Sequence, residues 1–303
     1  MYVIETLGLA KHYGAIRALA GIDLRVPRGT IFGFLGPNGA GKTTTMRILV
    51  GLLRPTAGRA SVFGLDMIGQ SREIRRKVGY LPGDVRLYEW MTGRRFLSFC
   101  DAARGGGAAR EIERLRGRFD LDIDRRIRSY SRGMKQKLAL IASLMHRPEL
   151  LILDEPTTAL DPLVQLTLHD ELRTAAREGR TVLFSSHTLG EVEVLCDHVA
   201  IIRRGEIIED STIEALRRRA VRRVTLRLRK GESAILELPE GAHPHETLDG
   251  TVNLSWTGPI DGLTAWLSTL RLEDVTIGPP DLDDLFAAYY RDDGPALQRG
   301  GGA

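Results

Sequence analysis

The sequence is poor in cysteine, in aromatic residues and in long apolar runs. Its 303 residues contain two cysteines, Cys100 and Cys196, and 6% aromatic residues. Two cysteines cannot stabilise a chain of this length, so a disulfide scaffold is excluded and a reducing compartment is expected. The longest mostly apolar run, Leu138–Met145, is far shorter than the ~20 residues of a membrane span. Glu5 and Lys11 come too early for a signal-peptide core. We expect a cytoplasmic protein that reaches a membrane only through a partner.

The sequence also lacks a large excess of positive or of negative charge. The 43 basic and 39 acidic residues leave a net charge of +4, and 43% of the residues are hydrophobic. A nucleic-acid-binding domain usually carries a strongly basic face, so no nucleic acid is expected as a partner. The composition is that of a globular protein, and the length predicts about two domains.

Short β-rich runs alternate with helical patterns through the first 210 residues, which predicts an α/β fold with a largely parallel core sheet. These runs are Tyr2–Leu9, Ile22–Val26, Thr30–Leu35, Leu150–Leu153, Thr181–Ser185 and Val199–Arg203. The segment from Arg86 to Ser143 has little strand character, so we predict a helical subdomain inserted at about 86–145. The small residues of Arg104–Arg110 indicate a flexible helix connection within it.

A cluster of arginines between 217 and 223 marks the predicted end of the first domain, at about residue 215. The simplest interpretation of the cluster is the solvated end of a helix, and a contact with anionic lipid or a partner is the alternative. Residues 216–303 are predicted to form a small accessory α+β region. Its predicted elements are strands Val224–Arg229 and Ala234–Leu238, helices Gly262–Leu270 and Asp281–Tyr290, and a disordered tail Gly300–Ala303.

A phosphate-binding loop stands between the apolar run Ile31–Leu35 and the helical run Thr45–Leu53. Its sequence, Gly36-Pro-Asn-Gly-Ala-Gly-Lys-Thr-Thr44, fits G-x-x-x-x-G-K-[ST]. Glycines let backbone N–H groups surround phosphates, and the following helix directs its positive end at them. Lysine supplies a point charge and the threonine hydroxyl can bind Mg²⁺. The predicted phosphate-binding residues are Gly36, Asn38, Gly39, Ala40, Gly41, Lys42, Thr43 and Thr44.

A second acidic element follows about 110 residues later. The apolar run Leu150–Leu153 ends in Asp154 and Glu155. A buried strand delivers such carboxylates to the edge where α/β sheets bind ligands. We expect Asp154 to hold Mg²⁺ through water and Glu155 to polarise an attacking water as general base.

The segment Ser129-Tyr-Ser-Arg-Gly-Met-Lys-Gln-Lys137 resembles the signature motif of ATP-binding-cassette (ABC) ATPases. Pro156–Asp161 resembles the D-loop of that family, and His187, which ends a predicted strand, resembles its switch histidine. Tyr13 stands where the family has an aromatic residue that stacks on adenine. The resemblance covers residues 2–215, with the motifs in family order.

The resemblance implies a P-loop NTPase cassette with an antiparallel β subdomain beside the core sheet. It also implies that two cassettes pair head-to-tail, so that each ATP lies between the P-loop of one and the signature of the other. Thr43 and Asp154 would then hold Mg²⁺, and His187 would contact the γ-phosphate and the loop that bears Asp161. Ser131 and Gly133 would close the site of the opposite subunit.

Two positions depart from the family pattern. Gly83 stands where the family usually has glutamine, so a side chain that contacts Mg²⁺ and the attacking water is missing; Asp84 or a partner is expected to substitute. In the signature, Arg132 replaces a glycine and Met134 a glutamine. These departures and the C-terminal region resemble cassettes of ABC-2-type and drug-resistance exporters.

We therefore expect an ATPase subunit that powers export through a separately encoded transmembrane permease, at the cytoplasmic face of the membrane. Its second cassette would be a second copy or a paralogue. One alternative is a soluble ABC ATPase that acts on ribosomes or DNA; the other is a nucleotide-dependent switch that barely hydrolyses ATP.

Overall fold

A computed structural model describes residues 1–229, 238–248 and 251–282 of the chain. Residues pack into two compact units, the first comprising Met1–Asp210 and the second beginning at Ser211. Among the described residues, no helix is long and apolar enough to span a membrane.

An antiparallel sheet covers one side of the first unit. Its strands are β1 (Tyr2–Tyr13), β2 (Ile16–Ile22), β3 (Arg25–Pro27), β5 (Ala57–Val62) and β6 (Leu65–Asp66). They run in the order β2-β1-β5-β6, and β3 also pairs with β1. This sheet is the antiparallel subdomain that the resemblance implied.

The prediction of one strand over Ile22–Val26 is wrong, because β2 ends at Ile22 and β3 begins at Arg25, with both strands antiparallel to β1. The hydroxyl of Thr6 donates to the carbonyl of Ile22 and accepts from the N–H of Leu24, at 2.9 and 2.8 Å. The Asp23 carboxylate accepts from the N–H of Gly8 at 2.7 Å. These side-chain bonds replace ladder bonds at the break.

The central sheet of the first unit carries the predicted alternation. Its strands are β4 (Ile31–Leu35), β7 (Val78–Leu81), β8 (Leu150–Asp154), β9 (Thr181–Ser186), β10 (His198–Arg203) and β11 (Glu206–Thr212), in the order β11-β10-β4-β9-β8-β7. The contacts β10-β4, β4-β9, β9-β8 and β8-β7 are parallel. Every residue of β4, β8 and β9 is buried. Strands covered on both faces require such continuous apolar runs.

Helices cover the central sheet. They are α1 (Lys42–Leu49), α2 (Ser71–Lys77), α6 (Pro162–Arg177) and α7 (Leu189–Leu195). The apolar side of α1 packs with Phe32, Ile152 and Leu183 of the sheet in one buried cluster. Because the parallel strands end together beside the start of α1, the loops after β4, β8 and β9 meet at one edge.

The predicted helical segment lies between β7 and β8. It contains α3 (Gly93–Ala103), α4 (Ala109–Arg118), a short 3-10 turn (Ile127–Ser129) and α5 (Arg132–Leu144). Residues 104–108 connect α3 to α4 as a loop rich in glycine, as the composition indicated.

The second unit is an α+β structure of its own. It contains α8 (Ile213–Arg219), β12 (Val221–Leu228), β13 (Ala242–Leu248), β14 (Thr251–Trp256), α9 (Ile260–Leu267) and β15 (Leu272–Asp281), with strand order β13-β14-β12-β15. Trp256 and Leu263 are buried together in its apolar cluster. Three arginines of the basic cluster form the last turn of α8, where the helix dipole favours positive charge. The predicted strand over Ala234–Leu238 lies, except for Leu238, outside the described residues. Of the predicted helix Asp281–Tyr290, only Asp281 and Leu282 are described, and Asp281 is the last residue of β15 rather than the start of a helix.

Candidate active site

The phosphate-binding loop joins the end of β4 to the start of α1. A side chain at Gly36 would place its Cβ 2.3 Å from the carbonyl oxygen of Ile202, so only glycine fits there. Gly41 has φ +114° and a Cβ there would lie 2.7 Å from Leu19. No side chain caps the N-terminus of α1. The N–H groups of its first turn are therefore available to an anion.

Lys42 is held inside this loop. Its Nζ donates to the carbonyl oxygens of Gly36 and Pro37 at 2.6 and 3.2 Å and lies 3.3 Å from Oε1 of Glu155. The side chain is only 5% exposed, and that of Glu155 is 24% exposed. The ammonium group is thus fixed at the mouth of the loop.

Asp154 ends β8 directly beneath the loop and is fully buried. The hydroxyl of Thr43 donates to Oδ2 of Asp154 at 2.7 Å. The hydroxyl of Ser185 donates to the other oxygen, Oδ1, at 2.8 Å. The carboxylate is therefore bound on both oxygens.

Glu155 follows in a left-handed backbone conformation, with φ +47°. Its Oε2 lies 3.2 Å from Nδ1 of His187, and its Oε1 faces Lys42. One carboxylate thus joins the phosphate-binding loop to the histidine that follows β9. A non-glycine residue in this conformation costs about 1–2 kcal/mol, which surrounding contacts must offset.

A cavity of about 130 Å³ opens at this point. It is lined by Ala18, Pro37, Asn38, Gly39, Gly41, Lys42, Thr43, Thr44 and Glu155. Gly36 and Ala40 belong to the same loop without lining the cavity. Ala18, which the sequence did not indicate, lines it because β2 runs past the loop.

Tyr13 is not among the residues that line the cavity. It ends β1, is 47% exposed, and has the Nζ of Lys11 at 5.2 Å from its ring centroid. Its stacking on adenine stays a prediction.

Ser131, Gly133 and Asp161 also lie outside the cavity lining. The Ser131 hydroxyl caps α5 by accepting from the N–H of Met134 at 3.2 Å, and Asp161 caps α6 by accepting from the N–H of Val164 at 3.1 Å. A Cβ at Gly133 would lie 2.7 Å from the carbonyl oxygen of Ala159. The signature and D-loop segments of one chain are therefore in contact with each other.

The backbone at position 83 lies next to Asp154, but glycine has no side chain that could contact it. A Cβ built on Gly83 would lie 3.1 Å from Oδ2 of Asp154. Asp84, the expected substitute, accepts from Nε of Arg86 at 2.9 Å and is exposed. The backbone thus brings position 83 to the acid, as the family pattern implied, and directs Asp84 to a surface ion pair.

Sequence reasoning also assigned no role to Ser185, whose hydroxyl binds Asp154. It lies two positions before His187 in β9, where the register of the parallel pair sets it opposite Asp154. A hydroxyl in place of an apolar side chain in a buried strand was the available signal.

The residues around Asp154 fit a Mg²⁺ ion bound together with a nucleotide. The donors are a threonine hydroxyl and a carboxylate oxygen 2.7 Å apart, both hard oxygen ligands. Mg²⁺ is usually held by one or two carboxylates plus substrate phosphates and water, rather than by an all-protein cage. Among the described residues, no cluster of three or more His, Cys, Asp or Glu side chains could hold a metal ion.

The comparisons with known proteins agree with this geometry. The family model described as "ABC transporter" matches residues 19–158. The chain is 37% identical over 300 residues to a daunorubicin resistance ATP-binding protein, DrrA3, of Streptomyces coeruleorubidus. This alignment covers 94% of this chain and 95% of the relative. It is 34% identical to a bacitracin transport ATP-binding protein, BcrA, of Bacillus licheniformis, over 80% of this chain and 81% of the relative.

A solved structure described as the ATP-binding subunit of an ABC transporter superposes with a TM-score of 0.66 and 31% identity, covering 71% of this chain and 92% of that one. A dimeric ATP-binding cassette bound to ADP and phosphate shares the fold at a TM-score of 0.64 and 21% identity, over 69% of this chain and 98% of that one. The chain therefore belongs to the ABC transporter family as an ATP-binding, ATP-hydrolysing subunit.

Proposed function

We propose that this chain powers export through a separately encoded permease by binding Mg²⁺ and ATP between two cassettes. The observation that carries the proposal is the contact of Glu155 with both Lys42 and His187, at 3.3 and 3.2 Å. This contact joins a phosphate-binding cation, a candidate base and a candidate γ-phosphate sensor. Phosphoryl transfer needs such positioning and charge neutralisation more than covalent chemistry.

ATP binding would exchange the partner of Lys42. A γ-phosphate is a stronger partner for the ammonium group than a single carboxylate, because it carries more charge. Once Lys42 turns to the phosphate, Glu155 is free to accept a hydrogen bond from the attacking water. His187 then holds the other oxygen of Glu155 or contacts the phosphate.

Mg²⁺ would be held by the hydroxyl of Thr43 and the carboxylate of Asp154. When bound, the ion would neutralise charge that develops on the phosphate oxygens. The Thr43 hydroxyl must give up its 2.7 Å bond to Asp154 for both groups to face the ion. Asp154 stays in place meanwhile, because its other oxygen remains bound to Ser185.

A second cassette would complete the site. Ser131 and Gly133 lie outside the cavity of their own chain, so they are available to the ATP of a partner cassette. Asp161 would line the same interface. ATP would favour the paired state and ADP would not, which makes pairing a ligand-driven population shift.

The permease would dock at an exposed aromatic cluster formed by Tyr88, Trp90 and Phe99. These side chains are 51%, 61% and 51% exposed, and the Tyr88 ring lies 6.3 Å from Trp90 and 6.1 Å from Phe99. Contiguous exposed aromatic surface is typical of protein interfaces. Tyr88 and Trp90 stand on the segment that joins β7 to the inserted helices, and Phe99 lies in α3, so a docked partner would sense movement there.

Export of a drug-like compound is the direction that the relatives support, since they are named for daunorubicin resistance and bacitracin transport. The chain would then be peripheral to the cytoplasmic face of the membrane. We further propose that residues 1–215 form the working cassette, with the helical subdomain at about 86–145, and that 216–303 form an accessory region.

Affinity purification of the full chain from detergent-solubilised native membranes tests the transport role. We expect a stoichiometric multi-span membrane protein, identified by mass spectrometry. Trp90→Ala with Phe99→Ala should weaken its recovery, while Leu52→Ala, an exposed apolar residue outside the cluster, should not. Recovery of ribosomal or DNA-associated proteins with no membrane protein would contradict the proposal.

A further inference from the structure

The hydroxyl of Ser185 lies between the two acids of the site and bonds to both. It donates to Oδ1 of Asp154 at 2.8 Å and accepts from the backbone N–H of Glu155 at 2.9 Å. Ser185 and Asp154 are fully buried, so water does not compete for these bonds. We propose that Ser185 is a positioning residue for ATP hydrolysis, which fixes the Asp154 carboxylate and the Glu155 backbone in one arrangement. This inference rests on the proposed roles of those two acids.

Strand geometry explains why a side chain at 185 reaches Asp154. The parallel register pairs Asp154 of β8 with Ser185 of β9. Side chains two residues apart point to the same face of a strand. Ile152 and Leu183, two residues earlier in each strand, belong to the apolar cluster under α1. The same face of the two strands therefore carries first an apolar pair and then a carboxylate–hydroxyl pair. The second pair, Asp154 and Ser185, lies next to Thr43.

The two oxygens of the Asp154 carboxylate have different hydrogen-bond partners. Oδ1 is bound by Ser185, which leaves Oδ2 facing Thr43. Without Ser185, the carboxylate could rotate about its terminal torsion, which has a broad energy profile. The buried Oδ1 would also lose its donor, and a buried acceptor without a hydrogen bond destabilises that arrangement.

The bond to Glu155 supports an unusual backbone. The N–H of Glu155 binds the Ser185 oxygen at the residue whose φ is +47°. That conformation aims the Glu155 side chain back at Lys42 and His187. Loss of the bond removes one contact that offsets the strain, so the general base would sample other orientations.

Position 83 cannot supply the same support. A Cβ there would lie 3.1 Å from Oδ2, the oxygen that faces Thr43, and not at the Oδ1 side that Ser185 holds. Glycine has no side-chain donor in any case. In this chain, the orientation of Asp154 therefore depends on Ser185 and Thr43.

Ser185→Ala in the full chain tests the inference, with ATPase kinetics and Mn²⁺ binding as separate measurements. We expect kcat to fall about tenfold or more, because groups that orient metal ligands usually contribute 10–100-fold. KM for ATP should change little, since the phosphate-binding loop is intact. Mn²⁺ affinity with ADP, read from the free-ion EPR signal, should fall about tenfold. Ser185→Thr keeps the hydroxyl and should recover most of both quantities.

Ser143→Ala is the matched control. Ser143 is also buried, but its hydroxyl donates to the carbonyl of Leu140 within α5 and does not contact the acids. Circular dichroism melting shows which variants are folded, and Ser185→Cys, with a weak donor of similar size, provides an intermediate if the alanine variant does not fold. The inference is overturned if a folded Ser185→Ala chain keeps kcat and Mn²⁺ affinity within twofold of wild type, or if threonine is no better than alanine. A wild-type turnover in Glu155→Gln would instead contradict the proposed function, whatever Ser185 does.

Discussion

The Nζ atom of Lys42 lies 3.3 Å from Oε1 of Glu155, so the candidate base is paired with the cation that would bind phosphate. The pair links the two motifs that the sequence placed over 110 residues apart. Both oxygens of the carboxylate have partners, Lys42 at Oε1 and His187 at Oε2. ATP would release the base by competing for the lysine.

Lys42→Ala should weaken ATP binding by about 1.5–3 kcal/mol, or roughly tenfold to a hundredfold, because a charged hydrogen-bond donor to the phosphates is lost. Isothermal titration with ATP measures the change. Lys77→Ala is the control, since Lys77 is half-exposed and pairs with Glu149 at 3.3 Å, remote from the loop. If wild type and Lys42→Ala bound ATP with equal affinity, Lys42 would not be a phosphate-binding residue.

Gly133→Ala should impair ATP hydrolysis without preventing folding. The new Cβ would lie 2.7 Å from the carbonyl oxygen of Ala159, so the start of α5 or the segment before Asp161 must shift. The site of the partner cassette would lose its alignment. Gly117→Ala, within α4 and with no atom within 4 Å of its Cβ, should leave activity unchanged and raise stability by about 0.5–1 kcal/mol. ATPase rates and thermal melts of both variants test these two expectations. Normal turnover in Gly133→Ala would show that the Gly133–Ala159 contact is not needed for hydrolysis.

Glu171 joins α4 of the inserted helical segment to α6, a helix that covers the central sheet, through ion pairs with arginines of α4. Its buried carboxylate accepts from Arg114 at 2.8 and 2.5 Å and from Arg118 at 3.0 Å. Burial alone would raise the pKa of Glu171, but the hydrogen bonds and charge of Arg114, and then those of Arg118, hold the pKa below its ordinary value.

A lowered pKa in the folded state means that the carboxylate stabilises the fold above its unfolded pKa of about 4.3 and ceases to do so as pH falls through the folded value. Glu171→Gln should therefore lower stability at pH 7 by about 1–2 kcal/mol, since the arginines are nearly half-exposed. The difference from wild type should shrink below pH 4. Urea unfolding at both pH values measures it, and a deficit that is independent of pH would contradict the ionic explanation.

The cysteines should be inert in the folded protein. Burial, followed by the charges of Asp197 and Glu191, raises the pKa of the buried Cys196 thiol, and burial also raises the pKa of Cys100. Thiolate is the reactive form, so a thiol reagent at pH 8 should react slowly until denaturant is added. Fast labelling of Cys196 in the native chain would show that this region opens.

The sequence predicted the parts of the site that lie in contiguous motifs. Asp154 and Glu155 lie at the end of buried strand β8, and Lys42 and Thr43 begin the helix that follows the loop after buried strand β4. They come together because β4 and β8 belong to one parallel sheet, and both strands can be recognised in the sequence as apolar runs. The role of Ser185 was not predictable in the same way. Its contact with Asp154 depends on which strands are neighbours and on their register, and a single serine in a strand does not reveal either.

Local side-chain bonding also escaped prediction. Strand pairing is interrupted after Ile22 because the Thr6 hydroxyl, in another strand, replaces ladder bonds. Likewise, the Gly133–Ala159 contact joins segments whose separation in the sequence hides their packing. Such features depend on tertiary contacts, while the motifs depend on local order along the chain.

Light scattering of purified Glu155→Gln with Mg²⁺ and ATP tests whether ATP occupies a site shared by two cassettes. Its turnover, measured in parallel, tests whether Glu155 is the base for hydrolysis of that ATP. We expect the 33.6 kDa chain to be monomeric without nucleotide and to double in mass with ATP but not with ADP, while ATP turnover nearly disappears. A chain that stays monomeric with ATP and keeps wild-type turnover would contradict both expectations.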